Sequence, residues 1–196
     1  MLTTLRVLEV QNILTPVQKA QIQTAHAHGL LDLEIAERTG VSLSSVKRVR
    51  KDLALPSNCP VNRRGRKGEQ LVADAASRRG LTVKWRSVDG EKFDLTIQGL
   101  RVDVKAAAPS ADGSWRFRLP KTRPSFYGQY TYDKDYAADT DIVILAALDT
   151  AETHAEFYIL PSQNLPSHIG VRPGSGSDAH LDAWHLFPVS PNPLTA

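Results

Sequence analysis

The segment FDLTIQGLRVDVKAA, residues 93–107, has two runs of alternating polar and apolar residues around Gln98-Gly99. Glycine suits the positive φ of a tight turn, so this pair is predicted to be the turn of a β-hairpin. The resulting register gives one wholly apolar face, which consists of Leu95, Ile97, Leu100, Val102 and Val104. The opposite face is wholly polar and consists of Asp94, Thr96, Arg101, Asp103 and Lys105. A slip by one residue would mix the two faces, so the pattern determines the register.

This register places Asp94 directly opposite Asp103, where the two Cβ atoms would be roughly 4.5–5.5 Å apart and like charges repel. A shared divalent cation such as Mg²⁺, which takes oxygen ligands, would relieve the repulsion. The alternative is a solvent-facing polar stripe in which Lys105 and Arg101 neutralise the two acids. The hairpin pattern by itself leaves both interpretations open.

The segments around the hairpin predict an α+β domain. Residues 68–79 form a predicted helix that Gly80 ends, and Glu69 lies on the inward-facing side of that helix. A carboxylate on the apolar side of a helix is unusual without a partner. Apolar segments at 81–85, 141–148 and 156–161 are predicted strands.

The order of these motifs resembles the PD-(D/E)XK nuclease superfamily. Gly68-Glu69 on a helix, then Asp94, then Asp103-Val104-Lys105 match its pattern, and the strands at 141–148 and 156–161 look like later core strands of its homing-type and resolvase-type members. The resemblance spans residues 66–162. Phe93 departs from it, because it stands where the superfamily pattern has proline.

The resemblance implies roles for particular residues. Asp94, Asp103 and the backbone carbonyl of Val104 would ligate Mg²⁺, with Mn²⁺ as an alternative, and Glu69 would support the metal or its water. Lys105 would orient the attacking water and stabilise charge on the phosphate. Hydrolysis of a phosphodiester needs both a metal that acidifies water and a fixed cation near the phosphorus, so the chemistry agrees with these roles.

Residues 121–138 depart from the superfamily pattern, because the helix expected between the third and fourth core strands is weakly signalled there. The tract instead contains cationic, amide and aromatic side chains suited to a DNA backbone and to base stacking: Lys121, Arg123, Tyr127, Gln129, Tyr130 and Tyr132. A lid and a dimer contact are equally compatible with this composition.

The N-terminal region, residues 15–53, is predicted to form three short helices. Thr15-Pro16 starts the first, Asp32 is expected to cap the second, which ends at Gly40, and Ser42 caps the third. This segment resembles a helix-turn-helix of the resolvase and repressor type, with Gly40 in the turn. Val46, Val49 and Leu53 form the predicted buried face of the third helix.

On that interpretation the third helix enters the DNA major groove. Its residues predicted to contact DNA are Ser42, Ser44, Lys47, Arg48 and Lys51. The alternative is an ordinary three-helix bundle that makes dimer contacts.

Positive charge is concentrated in one part of the chain. Of 24 Lys and Arg residues, eight lie between residues 41 and 67, against a single acid, Asp52, although the net charge of the whole chain is only +3. Such a block predicts a polyanion site, most simply nucleic acid. Residues 54–67 are predicted to be a basic linker because of their prolines, and their DNA-contacting residues would be Arg63, Arg64 and Arg66. A solvated linker without DNA contacts is the alternative.

Several classes of protein are disfavoured. The lone Cys59 excludes an internal disulfide framework and fits a reducing, cytoplasmic location. No apolar run is long enough to span a bilayer, and the N-terminal sequence does not resemble a signal peptide. We therefore expect no membrane association, and we expect no small-molecule cofactor.

These observations predict a helix-turn-helix domain at 1–53, a basic linker at 54–67 and a nuclease domain at 68–196 with a restriction-endonuclease-like mixed sheet flanked by helices. The expected function is metal-dependent, site-specific cleavage of double-stranded DNA, of the homing or restriction type. A homodimer is expected because a double-strand cut needs two active sites. The alternatives are a Holliday-junction resolvase and a DNA-binding regulator that no longer cuts.

Overall fold

The computed structural model describes residues 14–87, 91–124 and 130–188. The chain divides into two compact units, Met1–Cys59 and Pro60–Ala196. In the part of the chain described, no helix combines the length and apolarity that a membrane crossing requires.

The N-terminal unit contains three helices: α1 (Pro16–Ala27), α2 (Asp32–Thr39) and α3 (Leu43–Asp52). Thr15 caps α1 within a capping box, and the Ser42 hydroxyl caps α3 by accepting from the backbone N–H of Ser45. Gly40 ends α2 at φ 67°, a left-handed conformation that glycine adopts without strain. The three helices enclose a small core of Ile22, Ala25, Ile35, Val41, Val46 and Val49.

Two details of this unit differ from the sequence prediction. Asp32 is not the cap of α2. It is the first helical residue, and its carboxylate receives two hydrogen bonds from Arg50, at 2.8 and 3.1 Å. Leu53 is not part of the buried face, because α3 ends before it and its side chain is 40% exposed.

The second unit opens with the long helix α4 (Pro60–Arg78). The prediction of a linker is therefore wrong for residues 60–67, which form the first turns of this helix. Proline is tolerated in the first helical turn, where its missing N–H would have no partner anyway. Arginine and lysine are good helix formers, so the basic residues that follow Pro60 continue the helix despite Gly65.

A mixed five-stranded sheet forms the centre of the second unit, in the order β1-β2-β3-β7-β8. Its strands are β1 (Val83–Trp85), β2 (Leu95–Ile97), β3 (Leu100–Ala107), β7 (Ile142–Leu148) and β8 (Ala155–Pro161). Strands β3 and β7 are parallel, and the other neighbouring pairs are antiparallel. The predicted hairpin register is confirmed for Leu95, Thr96 and Ile97, which pair with Val102, Arg101 and Leu100.

The two faces of this sheet have different coverings. Helix α4 packs on the face that carries Leu95, Ile97, Val102 and Val104, as the alternation predicted. A ribbon of β4 (Trp115–Arg118) and β9 (His168–Val171) packs on the other face, as does Tyr136 of the short helix α5 (Tyr136–Asp139). A second ribbon pairs β5 (Thr122–Pro124) with β6 (Thr131–Asp133). The predicted α+β fold class, with a mixed sheet flanked by helices, is confirmed.

Candidate active site

The centre of the candidate site is Asp103, which β3 places on the face away from α4. Asp103 is only 4% exposed. Two lysines neutralise it: Lys105 contacts its Oδ2 atom, and the Lys134 ammonium lies 2.9 Å from its Oδ1 atom. Arg101, which the alternative interpretation placed among these acids, instead pairs with Asp141 at 2.8 Å.

Asp94 lies at the end of the hairpin ladder. The residue pairs of the ladder end at Leu95 and Val102, so the predicted direct pairing of Asp94 with Asp103 is not formed as a ladder pair. The Asp94 backbone N–H donates instead to the carbonyl of Val102 at 2.9 Å. The Asp94 carboxylate accepts a hydrogen bond from the Val104 N–H at 2.9 Å. The side chain thus takes the place of the next backbone hydrogen bond between the two strands.

The Asp94 carboxylate is electrostatically linked to Asp103. Burial raises the pKa of Asp94, and the neighbouring Asp103 charge raises it further, as expected for two carboxylates held close together. Arg86 partly offsets this effect through an ion pair at 2.8 Å. The two acids therefore share one electrostatic environment even though they are not a ladder pair.

Glu69 extends this acidic cluster from α4. Burial, followed by the Asp94 charge, raises the pKa of Glu69 from 4.5 to about 7. The position of Glu69 depends on Gly68, where an added Cβ would lie 2.5 Å from the Cβ of Ala106. Glycine at this position lets α4 approach β3 closely, and the next residue, Glu69, lies near enough to Asp94 to feel its charge.

Lys105 is the cation common to these acids. Burial by itself lowers the pKa of Lys105, but its interactions with Asp103, Tyr136 and Asp94 outweigh burial, and the pKa is raised. Lys105 therefore keeps its proton at neutral pH. The structure thus brings together the four residues that sequence analysis named as catalytic, which are Glu69, Asp94, Asp103 and Lys105.

Sequence analysis missed Lys134. It directly follows β6, and its ammonium group also donates to the backbone carbonyl of Lys92. The ring of Tyr136 lies near both lysines, 5.0 Å from Lys134 and 5.6 Å from Lys105. Nothing in the local spacing points to Lys134, because its partner Asp103 lies in a distant part of the sequence.

A cavity of about 430 Å³ adjoins these residues. Lys134 and Tyr136 form part of its wall, together with residues that include Lys121, Ser162 and Asn164. Tyr127 and Gln129, which the sequence prediction included in the possible DNA contacts of this region, lie outside the described residues.

The donor set suits a hard divalent cation, because carboxylate oxygens are the ligands that Mg²⁺ prefers. The repulsion between Asp94 and Asp103 is the expected result of two ligands placed for one cation. Within the described ranges, however, no three His, Cys, Asp or Glu side chains already enclose a metal position. A metal here would take two carboxylates, those of Asp94 and Asp103, and would need other oxygen ligands to complete its shell.

The residues predicted to contact DNA fall into two groups. On α3, Ser44, Arg48 and Lys51 are exposed, Lys47 is half-buried, and Ser42 caps the helix. On α4, Arg63 and Arg66 are exposed, whereas Arg64 forms an ion pair with Glu152 at 2.7 Å. The two groups lie in different compact units of the chain.

Comparison with known proteins bears mainly on the fold. No family model matches the sequence. No curated protein matches it either. Among solved structures, the fold is similar to that of a nuclease. The nuclease is a bacterial homing endonuclease, I-Ssp6803I, and the match has a TM-score of 0.51 and 20% sequence identity, covering 65% of this chain and 92% of the endonuclease chain.

Proposed function

We propose that this protein is a metal-dependent DNA endonuclease of the PD-(D/E)XK superfamily that cuts at specific sites. One observation carries the proposal: Glu69, Asp94, Asp103 and Lys105 lie together in a fold similar to that of a homing endonuclease. None of these four side chains belongs to the apolar clusters that cover the two faces of the sheet.

The proposed roles follow from the electrostatics of the cluster. Asp94 and Asp103 would hold Mg²⁺ or Mn²⁺, with the Val104 carbonyl as a further ligand, and the metal would polarise the phosphoryl oxygen and acidify a water. Lys105, protonated at neutral pH, would stabilise negative charge that develops on the phosphate. Glu69, with a pKa of about 7, would exchange a proton with the attacking water.

DNA recognition is assigned to the basic surfaces. We propose that the three N-terminal helices act as a helix-turn-helix whose third helix, α3, reads base edges through Ser44 and Arg48. The exposed arginines of α4, Arg63 and Arg66, would contact phosphates and position the duplex. A homodimer would supply the two active sites that a double-strand cut needs.

The test is cleavage of DNA by the wild-type protein and by site variants. Plasmid DNA carrying a randomised insert and a four-way junction would each be incubated with Mg²⁺, with Mn²⁺ and with EDTA. Cleavage of the insert at preferred positions supports a site-specific endonuclease. Cleavage of the junction alone indicates a resolvase, and binding without cleavage under every condition indicates a regulator.

Two substitutions test the site assignment itself. We expect Asp103→Asn and Lys105→Met each to lower the cleavage rate by at least about 100-fold while DNA affinity changes little, because each removes a group proposed to act on the reacting phosphate. Asp112→Asn is the matched control, since this exposed aspartate pairs with surface arginines on the β4–β9 ribbon. Normal cleavage by either site variant would contradict the assignment.

A further inference from the structure

Asp103 has a second cationic partner that the proposed mechanism does not use. Each of its two carboxylate oxygens contacts a lysine, and the two lysines come from different parts of the fold. Lys105 lies on the same strand as Asp103, whereas Lys134 follows β6. Lys134 is the more buried of the two, with its side chain only 8% exposed against 25% for Lys105.

The Lys134 ammonium is held in place from several directions. It donates to the carbonyl of Lys92, and the Tyr136 ring lies 5.0 Å away. The backbone N–H of Lys134 donates to the Lys121 carbonyl at 2.8 Å. Lys92 is itself fixed by an ion pair with the buried Asp139 at 2.6 Å. Lys134 is therefore a positioned counter-ion and not a flexible surface lysine that happens to lie near an acid.

This position conflicts with a divalent cation. Mg²⁺ binds carboxylate oxygens at about 2.0–2.1 Å and tolerates little distortion of its ligand shell. The ammonium at 2.9 Å from Oδ1 of Asp103 uses the same oxygen lone pairs. Two cations this close repel strongly in a buried site, where screening by water is weak.

We propose that Lys134 is an internal counter-ion that competes with the divalent cation for Asp103, and that cation binding displaces it. The inference rests on the proposed function, because it takes Asp103 as a metal ligand. Lys134 would keep the site neutral and stable in the metal-free protein. It would thereby lower the affinity for Mg²⁺.

The test measures Mg²⁺ binding to the full-length protein without DNA, by isothermal titration calorimetry. We expect Lys134→Met and Lys134→Gln to bind Mg²⁺ about tenfold more tightly than wild type, because the competing charge is gone. Both variants should melt at a lower temperature than wild type in EDTA, because Asp103 loses a counter-ion. Adding Mg²⁺ should raise the melting temperature of both variants again, because a ligand that binds only the folded state stabilises it by mass action.

Two controls separate charge from structure. Lys134→Arg keeps the positive charge and should bind Mg²⁺ with nearly wild-type affinity. Lys121→Met removes a lysine that lines the same cavity and is not an ion-pair partner of Asp103, and it should also leave the affinity unchanged. The glutamine variant retains a donor for the Lys92 carbonyl, so it provides a second measurement if the methionine variant does not fold.

The outcomes distinguish this inference from the proposed function. Equal or weaker Mg²⁺ binding by the methionine and glutamine variants, with metal-dependent cleavage by wild type, would overturn only the role of Lys134. No Mg²⁺ binding and no cleavage by wild type would overturn both.

Discussion

At the scale of single residues, the site is built from groups whose charges are balanced by contacts rather than by water. Asp103 lies between two lysines, and Asp94 lies between Arg86 and the backbone of β3. Among the residues that the structure describes, none forms a hydrogen bond or an ion pair with the Glu69 carboxylate, although Arg86, Arg66 and Lys105 act on it from a distance. Burial, and then the nearby Asp94 charge, raise the pKa of Glu69, so folding favours its protonated form.

This environment predicts a pH dependence of stability. The pKa of Glu69 is raised from 4.5 to about 7 in the folded state. Its contribution to the free energy of unfolding is therefore fully present below about pH 4.5 and is lost as the pH rises through 7. The glutamine of Glu69→Gln cannot ionise. In EDTA, the free energy of unfolding of this variant should equal that of wild type near pH 4.5 and exceed it by about 2 kcal/mol at pH 8.

Urea denaturation of both proteins at a series of pH values would measure this difference. Asp94 contributes a similar trend to both proteins, so only the difference between the two curves reports on Glu69. A constant difference from pH 4.5 to 8 would show that Glu69 does not titrate in the folded protein as its surroundings predict.

At the scale of elements, the close contact between α4 and β3 brings Glu69 near Asp94. Gly68 lies where α4 crosses Ala106 of β3, and Gly65, one turn earlier in the same helix, has open space around it. The two glycines are chemically identical and lie in the same helix. They therefore form a matched pair for testing the close approach.

We expect opposite effects from the same substitution. Gly68→Ala should lower the free energy of unfolding by about 1–3 kcal/mol, because the new Cβ overpacks against Ala106. Cleavage should fall as well, since Glu69 moves with the helix. Gly65→Ala should raise the free energy of unfolding by up to about 1 kcal/mol, because alanine is the better helix former. Chemical denaturation of both variants would check this, and a stable Gly68→Ala protein would contradict the close approach.

At the scale of the whole molecule, part of the basic block is engaged within the protein. Arg50 is bonded to Asp32, and Arg64 is bonded to Glu152. Arg63 and Arg66 remain exposed on α4, and Arg48 on α3. The block is therefore partly structural, and its members should differ in their contribution to DNA binding.

Salt dependence of DNA affinity can reveal that difference. Each phosphate contact contributes a slope of about 0.9 in a plot of log affinity against log salt concentration. Replacing Arg63 and Arg66 by serine should flatten the slope by up to about 1.8 and weaken binding to all DNA sequences alike. Arg64→Ser should change the slope less, because Glu152 already neutralises that arginine. If Arg64→Ser flattened the slope as much as the loss of one exposed arginine does, the ion pair between Arg64 and Glu152 would have to open when DNA binds.

Sequence preference should depend on different residues. Ser44 and Arg48 lie on the exposed face of α3, where side chains could reach base edges. Replacing either one should change which members of a randomised-site library are bound, with little change in the salt slope. Unchanged preference would indicate that the three N-terminal helices serve in folding or association, as the bundle alternative holds.

Local patterns in the sequence determined several features of this protein. The strict alternation around Gln98-Gly99 determined the hairpin register, because a strand has a period of two and a slip would bury the polar face. Thr15, Gly40 and Ser42 marked the ends of helices, because caps and left-handed turns depend only on nearby residues. These interactions operate within a few residues of chain, so a single sequence is enough to recognise them.

Only the tertiary structure decided the features that depend on distant segments. The pairing of Lys134 with Asp103, the bond from Asp94 to the Val104 N–H, and the close approach at Gly68 each require a particular packing of elements. The start of α4 at Pro60 was also decided by the tertiary structure, because prolines and basic residues are compatible both with a linker and with a first helical turn. Packing resolves such ambiguities because burial and charge pairing between segments outweigh weak local propensities.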